Sequence, residues 1–436
     1  MAARGARVAA TPILAAFLAF ACLISGGLFE AQRSGQSLFG GSTNVFSISE
    51  AFNQMRAPSG NVPLPGDTPV YLRDARFMQT GRVPYRDFTF EYPPLAAAVF
   101  YLPYALGGAI SYARAFLVLM ALCAGALGAC IALIARALGR RPLRPVLITL
   151  ALLTIGSPVL AWRFDLAVAA LVALSVLALV RSRPGAAGLW LGLGVALKLY
   201  PVVLIPVFFL LAGRGRRASF VAGAALLALL PFAVALVWGG NPLGFLVYNT
   251  TRGLHVESLL GGVAYSLHSL LSSNPIILND FGSYNLHSSL ANRLEQLAAP
   301  IFVALFVMAL AWARRAAQTS ARSTESILPL AGYLAVLAFM LGNKVFSPQY
   351  LAWLLPFAAF LPKPAAIATL VGAVLTTLVY PLGYALVVSA QPLGAVLIGL
   401  RNLTFLVAFM LAWLHRPLLH EDPKVEGDRK REEYER

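Results

Sequence analysis

The first residues that could do chemistry lie in a polar stretch near the start of the chain. It begins at Asp67 and runs to the string Arg86-Asp87-Phe88-Thr89-Phe90-Glu91-Tyr92-Pro93-Pro94. A positioned carboxylate can take the proton of an alcohol, and arginine or lysine can stabilise charge on a phosphate. Because almost everything around this stretch is apolar, we interpret it as part of an active site.

Three shorter polar clusters interrupt apolar runs further along the chain. They are Arg163-Phe164-Asp165, Lys198-Leu199-Tyr200-Pro201 and Asn343-Lys344-Val345-Phe346-Ser347-Pro348-Gln349-Tyr350. Ionisable residues at membrane depth cost about 2.5–3.5 kcal/mol on insertion scales and are functional candidates by default. Two alternatives remain open here: Arg163 and Asp165 could form an interfacial ion pair, and Lys198 or Lys344 could extend to the headgroups.

Composition identifies the class of protein in which these clusters must work. The chain is 59% hydrophobic and 12% charged, with a mean hydropathy of +0.74, and soluble domains contain about 25% charged residues. The net charge of +16 does not predict a nucleic-acid partner, because the basic residues sit in short clusters between apolar runs. Cys22, Cys123 and Cys130 fall inside apolar runs, so neither a disulfide framework nor a metal site is predicted.

The apolar runs predict an all-α polytopic membrane protein with about twelve transmembrane helices and both termini inside. The predicted spans are 9–28, 113–138, 146–162, 166–180, 187–197, 200–211, 220–238, 298–313, 327–341, 350–361, 365–387 and 393–414. Residues 95–107 are read as a short re-entrant or juxtamembrane segment, because a full crossing there would put the basic cluster after residue 135 outside. Residues 1–416 form one transmembrane domain with outer loops at 29–93 and 239–297, and residues 417–436 form a charged cytosolic tail.

The carboxylates test this topology independently of the basic residues. Of the eighteen Asp and Glu residues, only Glu325 and the seven in the tail fall on the inner side. The others all fall on the outer side, in loops or at helix ends, although acidic residues have little influence on orientation. The predicted site therefore faces outward from the cytoplasmic membrane.

Several of these motifs resemble the signature of glycosyltransferase family eighty-seven, within the C-type glycosyltransferase superfamily. The resemblance is carried by Gly81-Arg82-Val83-Pro84-Tyr85-Arg86-Asp87-Phe88, Phe90-Glu91-Tyr92-Pro93-Pro94-Leu95, Arg163-Phe164-Asp165, Gly192-Leu193-Gly194-Val195-Ala196-Leu197-Lys198-Leu199-Tyr200-Pro201 and Lys344-Val345-Phe346-Ser347-Pro348-Gln349-Tyr350. It implies a C-type fold and transfer of a sugar, typically mannose, from a polyprenyl-phosphate donor to a lipid or glycolipid acceptor. Many mannosyl-transferring members have a His shortly after the last Ser-Pro, where this chain has Gln349 and Tyr350.

The resemblance also implies roles for individual residues. Asp67 occupies the place of the family's catalytic Asp, with Asp74 as its rival. We expect Arg163, Lys198 and Lys344 at the donor phosphate, since an anionic lipid-phosphate leaving group needs cations rather than an acid. Sugar or acceptor contacts are expected from Tyr71, Asp74, Asp87, Glu91, Tyr92, Asp165, Tyr200, Gln349 and Tyr350. One carboxylate and a few cations suffice for a single inverting displacement, and neither a cofactor nor a metal is predicted.

Two other classes of function are weighed against the transferase. A secondary transporter or lipid flippase would explain the short spans broken near Lys198 and Pro201, but no repeat relates the two halves of the chain. A non-catalytic scaffold would explain neither the intramembrane Lys198 nor the one-sided carboxylates. The sequence therefore favours a membrane glycosyltransferase whose partners are a polyprenyl-phosphate-linked sugar, a lipid acceptor and the bilayer.

Overall fold

The computed structural model describes residues 2–34, 66–271, 276–319 and 324–415. Within these ranges the chain is predominantly helical, with three short strands in one antiparallel sheet. The helical multi-span architecture predicted from the sequence is confirmed. The predicted tail at 417–436 and residues 35–65 of the first predicted outer loop lie outside the described residues.

The elements are numbered here in chain order. The helices are α1 (Ala2–Ser34), α2 (Thr68–Gln79), α3 (Ala96–Ala137), α4 (Leu143–Leu160), α5 (Asp165–Val180), α6 (Pro184–Leu197), α7 (Leu204–Leu211), α8 (Arg217–Val237), α9 (Gly244–Thr251), α10 (Leu259–Leu270), α11 (Ser289–Glu295), α12 (Ala298–Thr319), α13 (Thr324–Gly342), α14 (Leu351–Ala358), α15 (Lys363–Thr377), α16 (Tyr384–Val388) and α17 (Pro392–Leu414). The strands are β1 (Leu254–His255), β2 (Ile276–Asp280) and β3 (Ser283–His287), hydrogen-bonded in the order β1-β3-β2.

Each of the twelve predicted spans falls on helical chain, but the helices differ in length. The span at 365–387 comprises α15, a kinked π-helical segment at Leu378–Leu382 and α16. In the part of the chain that the structure describes, seven are long and apolar enough to cross a bilayer alone: Thr11–Glu30, Ala96–Ala137, Leu143–Leu160, Arg214–Val237, Ser289–Gln318, Lys363–Leu382 and Pro392–Leu414. Four further apolar helices are shorter: Asp165–Val180, Pro184–Leu197, Tyr200–Leu211 and Ser326–Gly342. The predicted span at 350–361 is only the short helix α14 and its flanking turns.

The predicted re-entrant segment at 95–107 is the first part of α3. Gly108 breaks the helix with φ 62° and ψ −171°, a conformation that glycine adopts without a Cβ clash. The Tyr112 hydroxyl donates to the Phe100 carbonyl at 3.0 Å, although twelve helical residues would span about 18 Å. The chain therefore bends sharply at Gly108, and 95–107 is a separate short helix folded against the long span.

Helix α6, which carries Lys198 at its end, packs backbone against backbone on α8. A Cβ at Gly188 would overlap the Phe220 carbonyl, and one at Gly192 would overlap the Ala224 carbonyl. Small residues four apart allow this close approach in membranes, where packing rather than water exclusion holds helices together. The spacing therefore fixes the position of α6 in the bundle.

Candidate active site

Asp67 precedes α2 at its N-cap position, yet its carboxylate makes no capping hydrogen bond. Instead, the carboxylate forms an ion pair with the Arg163 guanidinium, and the Tyr71 hydroxyl lies 3.4 Å from its second oxygen. A carboxylate at this position usually accepts from the first turn of its own helix. Here it is directed across the molecule to the connection between α4 and α5.

Asp165 is the first residue of α5, where the helix dipole favours a negative charge. Its two oxygens lie 2.7 and 2.9 Å from the Lys198 Nζ, and the Trp353 indole donates to it at 2.6 Å. Arg163 and Asp165 are thus ion-paired with residues from other elements and not with each other. Asp165 is buried and orients Lys198, whose Nζ also lies 4.7 Å from the Phe164 ring centroid.

The break in the helix at Lys198 follows from Pro201. A proline cannot donate to the carbonyl four residues earlier and its ring clashes with that group, so α6 ends at Leu197 and Lys198 is extended. The Ala196 carbonyl is then bonded by the Leu95 amide at 3.0 Å. This bond ties Leu95, which follows the predicted first outer loop, to Ala196, two residues before Lys198.

A cavity of about 340 Å³ joins these groups. Its lining includes residues from both outer loops and from the predicted clusters: Asp67, Glu91, Tyr92, Arg163, Lys198, Tyr200, Tyr248, Arg252, His255, Glu257, Ser347, Gln349, Tyr350 and Trp353. The structure therefore brings Asp67, Arg163 and Lys198 to one site, although about 130 residues separate the first from the last in the chain.

One wall of the cavity is a stack of aromatic rings. The Trp353 ring lies 4.2 Å from Tyr200 and 3.6 Å from Tyr350, in nearly parallel planes. Phe339 continues the stack at 6.0 Å from Trp353. Flat rings beside carboxylates suit a sugar, which offers apolar C–H faces and hydroxyl edges.

The segment between α8 and α12, predicted as the second outer loop, supplies another part of the cavity lining. Arg252 follows α9 and donates to the Ser283 hydroxyl of β3 at 2.7 Å. Glu257 is buried and paired at 2.6 Å with Arg401 of α17, which is itself fully buried. The Asn402 amide donates to the Ser258 carbonyl at 3.0 Å. These bonds dock the loop onto the last span.

Among the described residues, three buried polar atoms of the cavity lining have neither a hydrogen-bond nor an ion-pair partner. They are the Tyr200 hydroxyl, Arg252 Nε and His255 Nδ1. Native structures rarely leave buried polar groups unsatisfied without a functional reason. Their convergence on one cavity indicates a polar ligand.

Two titratable groups of the lining have displaced pKa values. Burial raises the pKa of the Glu91 carboxyl, opposed by a hydrogen bond with Tyr248 and by the charge of Arg252. Burial, together with the charges of Arg252 and Arg401, lowers the pKa of the His255 imidazole to about 3. His255 is therefore neutral at physiological pH, and one of its ring nitrogens can accept a hydrogen bond.

The predicted site residues divide into two groups by position. Those that line the cavity are Asp67, Glu91, Tyr92, Arg163, Lys198, Tyr200, Gln349 and Tyr350. Those outside its lining are Tyr71, Asp74, Asp87, Asp165 and Lys344. Tyr71 packs in an aromatic cluster behind Asp67, with its ring 4.2 Å from Phe100. The exposed Asp87 is paired at 2.8 Å with Arg86, whose hydrogen bond lowers the Asp87 pKa to about 2.

Lys344 has a different environment from the other predicted phosphate ligands. Its ammonium donates to the Thr250 and Arg252 carbonyls and lies 2.9 Å from the Glu295 carboxylate. A lysine has three donors, and these partners use all three. Lys344 therefore anchors the backbone beside Arg252.

Asp74, the rival base, is buried in α2 and paired at 2.8 Å with Arg73. Burial raises the pKa of this carboxyl to about 6, against the opposing effect of Arg73. Because Asp74 does not line the cavity, it cannot contact a molecule bound beside Asp67 and Lys198 without rearrangement.

Several cavity residues carry no functional signal in the sequence. The predicted second outer loop contains Arg252, His255 and Glu257, and the spacing of these residues matches no motif. In sequence, Trp353 looks like an ordinary core aromatic residue. Arg401, which lies behind the lining and pairs with Glu257, did carry a signal, because an ionisable residue inside an apolar run is a candidate by default. Among the described residues, no group of three or more His, Cys, Asp and Glu side chains could hold a metal ion.

Two comparisons with known proteins give a match. Residues 88–341 match the model of glycosyltransferase family 87, a region that starts after Asp67 and includes Arg163, Lys198 and His255. A crystal structure of ArnT from Cupriavidus metallidurans bound to undecaprenyl phosphate is similar over 83% of this chain and 73% of that chain, with 15% sequence identity and a TM-score of 0.45. No curated protein matches the chain.

The helices, the polar cavity and the matched region define a multi-pass membrane glycosyltransferase. The chain belongs to glycosyltransferase family 87. The resemblance seen in its motifs is thereby confirmed, and membership of this family favours the transferase over the transporter and the scaffold.

Proposed function

We propose that this glycosyltransferase moves a hexose, with mannose as the first candidate, from a polyprenyl-phosphate donor to a lipid or glycolipid acceptor. The reaction takes place at the outer face of the cytoplasmic membrane. The observation that carries the proposal is the cavity in which Asp67 meets Arg163, Lys198 and Arg252. A displacement from a phosphate needs a base for the acceptor hydroxyl and cations for the leaving phosphate. The Asp67 carboxylate, which is not used in capping, and the three cations can supply them.

Asp67 is the general base. It takes the proton of the acceptor hydroxyl while the acceptor oxygen forms a bond to the anomeric carbon. The bond between that carbon and the phosphate oxygen breaks, and the electron pair stays with the polyprenyl phosphate. Attack from the face opposite the phosphate inverts the anomeric carbon in a single step. General-base help of this kind contributes typically about 10²- to 10⁴-fold.

Arg163 has two roles because its guanidinium has several donors. In the described structure it forms an ion pair with the Asp67 carboxylate and orients it. A donor phosphate competes with Asp67 for the same guanidinium, and its arrival frees the carboxylate to accept a hydrogen bond from the acceptor hydroxyl. Arg252 adds a cation that has no carboxylate ion pair among the described residues.

Lys198 is already paired with Asp165, whose two carboxylate oxygens lie 2.7 and 2.9 Å from its Nζ. Its charge is largely compensated in the unliganded cavity, and it supplies a hydrogen bond to the phosphate rather than a full additional charge. Asp165 and Trp353 hold it in place. Lys344 stabilises the site from outside the lining by anchoring the backbone of Arg252.

The donor reaches the cavity from the bilayer. Apolar residues of the second loop and of α13, including Phe245, Leu246 and Phe339, line the cavity beside its charged groups. The sequence contains no Gly-rich loop followed by Lys-Ser or Lys-Thr that would cradle a nucleotide. A lipid-borne sugar phosphate matches both features.

The sugar and acceptor are held by the remaining polar lining. Glu91, Gln349 and the Tyr200 hydroxyl can bond sugar hydroxyls, and the Tyr350–Trp353–Tyr200 stack can hold the apolar face of the ring. Gln349 stands where the motif of many mannosyl-transferring relatives has a His, so this residue is the first to exchange when donor preference is tested.

The donor class can be tested with purified protein in nanodiscs. Polyprenyl-phosphate mannose and GDP-mannose, each carrying labelled mannose, are supplied separately together with a lipid extract as acceptor. We expect label in the lipid phase only with the polyprenyl-phosphate donor. Transfer from GDP-mannose alone would contradict the proposal, and transfer only from a different polyprenyl-linked sugar would correct the sugar but not the donor class.

A further inference from the structure

Two further cavities lie at the end of α4 that is opposite to Arg163. Helix α4 has 18 residues, about 27 Å at 1.5 Å per residue, roughly the thickness of the bilayer core. Arg144 lies in its first turn, and Arg140 lies three residues before the helix. A molecule bound there cannot touch Asp67 or the cations of the catalytic cavity.

The first of these cavities is an apolar groove of about 280 Å³ between α4 and α15. Its walls are Leu143, Leu147, Ile148, Ala366, Ile367 and Leu370. Leu147 and Ile367 are 54% and 51% exposed, so the groove opens onto the lipid-facing surface. Arg144 and Lys363 also line it and close one end with positive charge.

The second cavity, of about 160 Å³, is polar and adjoins the groove through Arg144, which lines both. Arg140, Trp312 and Ser326 contribute to its lining. Arg144 donates to the Leu361 carbonyl at 3.0 Å, which uses one of the five donors of a guanidinium. The buried Ser326 hydroxyl has no hydrogen-bond partner in the ranges that the structure describes.

We infer that the two cavities together bind one anionic phospholipid of the bilayer. An acyl chain lies in the groove, the phosphate lies between Arg144 and Lys363, and the headgroup enters the polar cavity towards Arg140 and Ser326. Basic pockets between transmembrane helices bind anionic headgroups in this way. The apolar groove, open to the bilayer and continuous with the basic end, identifies the source as a lipid rather than a soluble anion.

The position of this lipid gives it a structural role. It bridges α4, whose far end leads to Arg163, and α15, through the two basic residues that line the groove. Its occupancy is independent of the donor and acceptor, because the catalytic cavity is at the other end of α4. The site is therefore separable from the transferase reaction.

Native mass spectrometry of the purified full chain can test the inference. The protein is stripped of lipid in detergent and titrated with phosphatidylglycerol or phosphatidylcholine. We expect retention of one phosphatidylglycerol with clear preference over phosphatidylcholine, and on the order of tenfold to thirtyfold weaker binding in the double variant Arg144→Gln with Lys363→Gln. The matched control, Arg181→Gln with Arg183→Gln, removes two exposed basic residues from the connection between α5 and α6 and keeps wild-type binding.

Two further arms separate the remaining explanations. Ile367→Trp fills the groove without changing charge and lowers phosphatidylglycerol retention if an acyl chain lies there. Inorganic phosphate at millimolar concentration leaves retention unchanged if the ligand is a lipid. Equal retention in the double variant and in wild type, or displacement by inorganic phosphate, would overturn the inference.

Discussion

The clearest single test of the catalytic cavity's electrostatics is Arg252→Gln. Arg252 has no carboxylate ion pair among the described residues, and its Nε is buried without a partner. One of its terminal nitrogens is held at 2.7 Å by the Ser283 hydroxyl, so the guanidinium is oriented before a ligand binds. Removing it should weaken phosphate binding directly.

The size of the effect follows from the bonds available. A hydrogen bond to a charged group contributes about 1.5–3 kcal/mol net, which corresponds to roughly 10- to 150-fold in affinity. The backbone should survive the exchange, because Lys344 anchors the Thr250 and Arg252 carbonyls whatever side chain Arg252 carries. We therefore expect Arg252→Gln to weaken binding of polyprenyl monophosphate by at least tenfold without a large loss of thermal stability.

The assay is microscale thermophoresis of the purified protein with polyprenyl monophosphate, which needs no knowledge of the sugar. Arg252→Lys should recover part of the affinity, since it keeps the charge but loses the planar fork. Arg82→Gln is the matched control, because Arg82 is an exposed arginine of the first outer loop outside the cavity lining. A Kd within twofold of wild type for Arg252→Gln would refute the reasoning.

Two other variants test the groups that support the site. Arg401→Met leaves the buried Glu257 without its partner, and breaking a buried pair costs about 3–5 kcal/mol. We therefore expect a clearly lower thermal transition temperature in detergent, which adding Glu257→Gln should partly restore. An unchanged transition temperature in the single variant would contradict the stabilising role of the pair. The Asp74 pKa is raised to about 6 in the folded protein, so its contribution to stability is present below its unfolded pKa, near 3.8, and is lost as the pH rises through 6. In wild type this titration lowers the free energy of unfolding by roughly 3 kcal/mol between pH 4 and 7, and Asp74→Asn should remove that decrease. If the thermal transition temperature changes with pH equally in the variant and in wild type, Asp74 does not titrate in this range.

Most of the fold was predictable because a bilayer imposes simple rules. A span needs a long apolar run and basic residues favour the inner side, so the twelve apolar segments fall on helices of the structure. The short helices around Lys198 were also predictable, because Pro201 prevents the helix from continuing. The end of the short segment at residue 107 was predicted, but the sharp bend at Gly108 depends on a single backbone conformation that hydropathy cannot reveal.

The site was predictable where its residues interrupt apolar runs, and not elsewhere. Arg163 and Lys198 stand out against lipid-compatible neighbours, and both line the cavity. Arg252 and His255 lie in a polar loop, where polar residues carry no signal, and only the docking of that loop onto α17 brings them to the site. The environment of Lys344 was not predictable either, because its partners come from the second outer loop, some 50 to 95 residues earlier.

Asp67→Asn is the most direct test that Asp67 is the base of a transfer from a polyprenyl-phosphate donor. Turnover with labelled polyprenyl-phosphate mannose and a membrane lipid extract is measured beside Asp74→Asn and Glu91→Gln, with polyprenyl monophosphate binding as the folding control. We predict that Asp67→Asn loses about 10²- to 10⁴-fold in kcat while still binding polyprenyl monophosphate, and that Asp74→Asn keeps most of its turnover. Full turnover in Asp67→Asn, with its loss in Asp74→Asn or Glu91→Gln, would contradict the assignment of Asp67 as the base.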